Sequence, residues 1–292
     1  MSGPQSPTRP RAEALRLVRA SSLDLSELVR VFNLGFSDYL VPLQLDGSEM
    51  ADHIAHNDID LVCSQVAVDV EPVTVALLAR RGREAWLGGM GTAPAYRRIG
   101  LGARTLTATI DAAAARGVAA VWLEVLTDNA SAIALYERLG FERVRHLEVW
   151  SLAPDRERAP VEHRGLDVDA AHAWIAGHRA SREPWQRADA SIVRMRERGT
   201  PLTGVAIERG DAIAGAAICR IDGGTVRVLQ IAGVDRAAAR DVVIAAAGAL
   251  TLRLANVPGD DVFAGVLREL GAGVTAAQHE MRLSAGNLAS GH

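Results

Sequence analysis

Along the first half of the chain, the spacing of apolar and polar positions predicts a helix over residues 23–36 and strands over 62–70, 74–80 and 85–92. It then predicts a helix over 101–116, a strand over 119–126, a helix over 130–139 and a strand over 146–152. Glu71-Pro72 and Arg81-Gly82 punctuate the early strands, and the alternation as a whole is an α/β pattern. Residues 153–165 (APDRERAPVEHRG) then crowd Pro, Arg and Glu together, the composition of a linker. Beyond it the pattern resumes with strands over 202–208, 213–221 and 226–232 and a helix over 236–250.

The two halves are related. Sliding the second back by 131 positions, without a gap, places Leu254, Leu270, Gly271 and Leu283 on Leu123, Leu139, Gly140 and Leu152. Together with the shared element order, the recurring helix-Leu-Gly-strand ending predicts a tandem duplication. The expected organisation is a flexible tail over residues 1–13, a first domain over 14–153, a linker over 154–165, a second domain over 166–286 and a tail over 287–292.

Composition narrows the chemistry. The 292 residues, 49% of them hydrophobic and 23% charged, suit a globular protein of about two domains. A formal charge of -3 supplies no global basic field, so neither nucleic acid nor an anionic membrane is an expected partner. Every one of the 32 basic residues is Arg, which excludes a Schiff-base lysine. Cys63 and Cys219 stand far apart and offer no disulfide framework. The longest apolar stretch, residues 242–252, is shorter than the roughly 20 residues that span a bilayer, and the start of the chain has no signal-peptide pattern. A cytoplasmic location is expected.

The chemically informative segment is Gly91-Thr-Ala-Pro-Ala-Tyr-Arg-Arg-Ile-Gly-Leu-Gly-Ala-Arg104, a strand end and a turn followed by an Arg/Gly loop that opens a helix. Gly100 and Gly102 permit close backbone approach and the first helical N–H groups point outward. Arg97, Arg98 and Arg104 add charge, so the loop suits a pyrophosphate. A second segment follows at a strand-and-helix distance, Leu123-Glu-Val-Leu-Thr-Asp-Asn-Ala-Ser-Ala-Ile-Ala-Leu-Tyr-Glu-Arg-Leu-Gly-Phe141.

With both motifs in place, residues 85–152, about a quarter of the chain, resemble the GNAT superfamily of acyl-CoA-dependent N-acyltransferases. The resemblance implies two tandem GNAT-like α/β domains, each a mixed, mostly antiparallel sheet flanked by helices. It implies acetyl-CoA as cosubstrate. Met90, Gly91 and Thr92 would hold the pantetheine through backbone groups, Arg97 would open the pyrophosphate loop, and Arg98, Ile99, Gly100, Leu101, Gly102 and Ala103 would hold the diphosphate. Asn129 would contact the pantetheine arm. Tyr136 occupies the family's general-acid position, where a phenol protonates the leaving thiolate; its other reading is a helix tyrosine that packs.

The strand over 85–92 lacks the carboxylate that many GNAT enzymes keep there, and Glu124 becomes the candidate base. Its Leu-Glu-Val setting, 12 residues before Tyr136, is similar to the ribosomal-protein N-terminal alanine acetyltransferases, although Val125-Leu126-Thr127-Asp128-Asn129 departs from their Val-Arg-x-Ser-Asn. A structural hydrogen bond is the other reading of this carboxylate.

Between Arg30 and Arg80 the chain carries Asp38, Asp46, Glu49, Asp52, Asp58, Asp60, Asp69 and Glu71, and no base besides His53 and His56. Near Phe36-Ser-Asp38-Tyr39 such a one-signed block attracts a cationic amine, or else it forms a solvated face. His53 and His56 lack a third ligand, so they read as an exposed helical pair and no metal is predicted.

In the second copy, Tyr136, Asn129 and Glu124 become Leu267, Asp260 and Ala255, and no Arg-x-x-Gly-x-Gly precedes its helix, so no second CoA site is expected. The expectation is transfer of an acetyl group to a primary amine, either a small amine or a peptide N-terminus. The alternative is a non-catalytic acyl-CoA-binding or sensing protein.

Overall fold

The computed structural model describes residues 11–38 and 43–284. In chain order the elements are β1 (Arg16–Arg19), α1 (Leu25–Gly35), α2 (Gly47–Asn57), β2 (Gln65–Val68), β3 (Pro72–Arg81), β4 (Glu84–Thr92), α3 (Leu101–Ala114), β5 (Ala120–Leu126), α4 (Ala130–Arg138) and β6 (Glu142–Leu152). They continue with β7 (Arg164–Leu166), α5 (Val168–His178), α6 (Asp189–Glu197), β8 (Thr203–Arg209), β9 (Ala212–Asp222), β10 (Thr225–Gly233), α7 (Arg236–Ala247), β11 (Thr251–Pro258), α8 (Val262–Glu269) and β12 (Gly273–Ser284).

The chain packs into two compact units. One comprises, among the described residues, those up to Glu124 together with 130–143 and 281–284; the other comprises 125–129 and 144–280. This differs from the linear division expected at residue 153. β6 joins the second unit from Val144 onward because its ladder bonds go to β11, with Leu152 opposite Leu252 and Trp150 opposite Leu254. Met281–Ser284 of β12 belong with the first unit. The Pro- and Arg-rich residues 154–163 are irregular and lie within the second unit. Residues 1–10 and 285–292 of the expected tails lie outside the described residues. Ala12 and Glu13, expected in the tail, lie in a 3-10 turn, Ala12–Ala14, with Ala12 buried, held by Arg104 Nη1 donating to the carbonyls of Ala12 and Leu15 (2.7 Å to Leu15).

In the first unit the sheet order is β1-β2-β3-β4-β5, antiparallel up to β4 and parallel between β4 and β5. α1 forms because Asp24 and Glu27 close a capping box, and Leu28, Val31, Phe32 and Gly35 fall on one buried face at i, i+3, i+4, i+7 spacing. α2 begins with a second capping box, Asp46 with Glu49. The end of α1 lies directly on β4: a Cβ on Gly35 would fall 2.7 Å from Gly91 Cα, so this approach requires glycine.

The second unit repeats this plan, with order β6-β11-β10-β9-β8-β7 and its one parallel pair between β10 and β11. The offset of 131 holds for the last elements of each half: β5 starts at 120 and β11 at 251, and β6 starts at 142 and β12 at 273; earlier elements are offset differently, with β4 starting at 84 and β10 at 225, and α3 at 101 and α7 at 236. Each unit is therefore a mixed, mostly antiparallel sheet flanked by helices, as the resemblance implied. No described helix is long and apolar enough to cross a membrane.

Candidate active site

The first unit's chemistry gathers around the end of β4. Its parallel pairing with β5 runs from Glu84 to Trp86 against Ala120 to Trp122. Beyond Trp86 the β4 backbone runs on without that ladder, and a β-bulge at Gly88 shifts its register against β3. Strand amides without a neighbouring strand are donors and acceptors for an extended ligand. Met90, Gly91 and Thr92, expected to hold pantetheine, occupy this stretch.

Eight residues, 93–100, then lead into α3. Gly100 is its N-cap at φ 84°, a conformation that glycine adopts at no steric cost, and no side chain caps the helix. The first intrahelical donor is Arg104, whose N–H reaches the Gly100 carbonyl at 3.1 Å, so the N–H groups of Leu101, Gly102 and Ala103 have no helical acceptor. Gly102 faces inward: a Cβ there would lie 3.2 Å from Met90 Cε and 3.5 Å from Thr92 Oγ1, which seats the first turn of α3 against the end of β4. Ile99 is partly buried and packs on the cluster around Leu15 and Leu101.

The three arginines of the loop have different tasks. Arg98 is exposed at φ 62° and presents its charge to solvent. Arg97 instead forks onto Asp38, with Nη1 to Oδ2 and Nη2 to Oδ1 both 2.7 Å, and donates to Thr92 O at 2.8 Å and Gly35 O at 3.2 Å. The hydrogen-bonded pairing of the two side chains raises the Arg97 pKa and holds the Asp38 carboxyl below its usual range. Arg104 is tied to Ala12 and Leu15. Arg97 and Arg104 thus brace the loop from within, while Arg98 and the first N–H groups of α3 face outward from it.

Tyr136 is buried on α4, its ring 5.8 Å from that of Phe141. Glu124 is half-buried on β5, and its Oε2 accepts a 2.6 Å hydrogen bond from Trp86 Nε1–H. Sequence reasoning passed over Trp86; its signal was an indole on an interior strand, which needs an acceptor. Asn129 falls in the 125–129 segment that belongs with the second unit, its N–H turned back onto Leu126 O at 3.0 Å.

The acidic block proves to be largely structural. Asp46 and Glu49 cap α2, Asp58 pairs with Arg81, Asp60 with Arg80, Asp69 with Tyr96 and Glu71 with Arg30. Tyr39 lies outside the described residues. The histidines are not an exposed pair: His56 is buried, and His53 Nε2–H donates to Gly88 O at 3.0 Å while its Nδ1 faces Asn57 Nδ2 at 3.3 Å. Burial pushes the His53 imidazole below its ordinary pKa, which keeps it neutral at pH 7. Among the described residues no three His, Cys, Asp or Glu side chains gather as metal ligands would.

In the second unit two residues, Val234 and Asp235, replace the eight-residue loop between β10 and α7. Asp235 caps α7 by accepting from Ala238 N at 2.8 Å, so the amide cradle is closed and negatively charged. Where β10 and β11 part after Val228 and Leu254, the buried Arg187 guanidinium enters. Its Nε donates to Leu229 O at 2.9 Å and its Nη1 to Ala255 O at 2.8 Å, and Glu183 pairs with it at 3.1 Å. The strand carbonyls that a second extended ligand would use are satisfied from within.

This architecture can be set beside known proteins. Residues 29–141 match the Acetyltransferase (GNAT) family model. A 58-residue stretch is 53% identical to the [ribosomal protein bS18]-alanine N-acetyltransferase of Escherichia coli (strain K12); the match covers 20% of this chain and 39% of that protein. The fold extends over nearly the whole chain. A GCN5-related N-acetyltransferase from Sphaerobacter thermophilus superposes with a TM-score of 0.70 at 14% identity, covering 95% of this chain and 97% of that one. A tandem GNAT protein from the clavulanic acid biosynthesis pathway does so with a TM-score of 0.65 at 12% identity, covering 93% and 99%.

Proposed function

We propose that the first unit transfers an acetyl group from acetyl-CoA to a primary amine, a small amine or a peptide N-terminus. The observation that carries this reading is the uncapped start of α3, with Gly100 at φ 84°, opening beside the end of β4 that has left its ladder with β5. Fixed N–H groups at a helix start suit a diphosphate, and unladdered strand amides suit the amide groups of a pantetheine arm. Arg98 to Ala103 take the diphosphate, Met90 to Thr92 the arm, and Asn129 contributes by its place in the motif. The second unit, with its shortened and capped equivalent, takes no CoA.

In the reaction, the acceptor ammonium gives a proton to Glu124, directly or through water, and the neutral nitrogen attacks the thioester carbonyl. The C–S bond breaks and the Tyr136 hydroxyl protonates the departing sulfur; the nitrogen gives up its remaining extra proton, which reaches the Tyr136 phenolate through solvent, and the products are an amide and free CoA. The Met90 N–H is the family's donor to the carbonyl oxygen as it gains charge. The name of the Escherichia coli relative and the cost of deprotonation both favour an α-amine. At pH 7 an amine of pKa about 10.4 costs roughly 4.6 kcal/mol to deprotonate, whereas one near 7.7–8.0 costs about 1 to 1.4 kcal/mol.

The test is Glu124→Gln across an amine panel at several pH values. The loss in kcat/KM is expected to be largest for high-pKa amines at neutral pH and to shrink as pH rises; a pH-independent loss would assign Glu124 a structural role.

A further inference from the structure

On β5, Trp122 and Glu124 are two residues apart and share a face, and Trp86 stands opposite Trp122 on β4. The Trp86 indole lies across that step and donates to Glu124 Oε2 at 2.6 Å, short for an N–H donor and typical of a charged acceptor. Trp86 is itself held. It is buried, and the His53 ring from α2 meets it edge-on with centroids 6.0 Å apart. His53 is anchored in turn to the carbonyl of Gly88, the bulge two residues beyond Trp86. A Cβ on Gly88 would collide with the Trp86 ring at 2.6 Å, so the strand is shaped around this indole.

We infer that Trp86 is a positioning residue for the Glu124 carboxylate. Its N–H fixes the carboxylate plane, and with it the direction in which Glu124 receives the acceptor's proton; His53 and the Gly88 bulge fix the indole. The inference rests on the reading of Glu124 as the proton acceptor. Buried N–H donors on a neutral side chain suit this task, because they orient a carboxylate without supplying a cation that would compete with the incoming ammonium.

The test pairs kinetics with a signal independent of turnover. Trp86→Phe keeps an aromatic ring and removes the N–H. It is expected to lower kcat on the order of 10- to 100-fold, as loss of a hydrogen bond to a charged group does, with the KM for acetyl-CoA unchanged. Adding Glu124→Gln to Trp86→Phe is expected to cost much less than Glu124→Gln costs alone, because the two act as one unit. In the 15N-labelled wild type, the Trp86 indole proton is expected downfield and protected from exchange, and to move upfield in Glu124→Gln, a measurement that needs no Trp86 variant to fold. Additive losses, or an indole signal indifferent to Glu124→Gln, would overturn the positioning role while leaving Glu124 as base. A Glu124→Gln variant with full activity would instead remove the base, and the inference with it.

Discussion

Arg97 closes a two-pronged ion pair on Asp38, each N–O distance 2.7 Å, while the same guanidinium holds the carbonyls of Thr92 and Gly35. One side chain thereby ties the end of α1, the end of β4 and the start of the anion loop together. The two halves of this arrangement differ in worth. Asp38 is exposed and its share is screened by solvent, whereas the Thr92 and Gly35 carbonyls lose a partly buried donor if Arg97 goes. Asp38→Asn is expected to leave the melting temperature nearly unchanged and to lose little acetyl-CoA affinity, and Arg97→Ala to lower both. Equal effects in thermal melts and titration calorimetry would place the worth of Arg97 in the Asp38 pair, and an Arg97→Ala variant that loses acetyl-CoA affinity at an unchanged melting temperature would make it a phosphate ligand instead.

Arg187 does in the second unit what a ligand would do in the first. Arg187→Ala leaves the carbonyls of Leu229 and Ala255 without a donor and the buried Glu183 without its cation. Breaking a buried pair in this way costs about 3–5 kcal/mol, measurable by urea denaturation. The wild type is expected to bind one acetyl-CoA per chain in calorimetry, and two comparable sites would contradict the closed second cleft.

Acid stability follows from Asp189. Hydrogen bonds from Arg179 first, then from Gln230 and His172, hold its carboxyl far below the usual range. A depressed folded-state pKa contributes stability that is complete above the unfolded value of about 3.9 and is lost as pH falls toward the folded one. The melting temperature is expected to fall below about pH 4, and Asp189→Asn to flatten that fall relative to wild type. An unaltered acid limb would show that Asp189 does not govern it.

Part of the first unit was legible because its strands and helices keep clean periods: β4 was expected at 85–92 and is Glu84–Thr92, and α3 starts at Leu101 as expected; β1 and α2 were not expected, and β2, expected over 62–70, is Gln65–Val68. The duplication was legible for a different reason, since a 131-residue offset without a gap from β5 to the last strand keeps the element order in step where side chains have diverged. The exchange of β6 and the end of β12 between units was not legible, because pairing between distant strands leaves no local signal. The same holds within the site. Gly100 and Gly102 announce the loop by composition, but that Arg97 turns back onto Asp38, 59 residues earlier, depends on α1 reaching Gly91. The acidic block left two readings open because net sign along a sequence does not reveal which carboxylates are caps, such as Asp46, or ion pairs, such as Asp58.

The central claim, that the first unit acetylates primary amines with Tyr136 as the proton donor, is tested most directly by CoA thiol release with an α-amine peptide as acceptor, followed in wild type and Tyr136→Phe. The Phe ring still packs on Phe141, so acetyl-CoA affinity and stability should hold while kcat falls about 10²- to 10⁴-fold, with one amide formed per thiol in the wild type. Saturable acetyl-CoA binding without thiol release across primary amines, or a Phe variant with full kcat, would contradict the account.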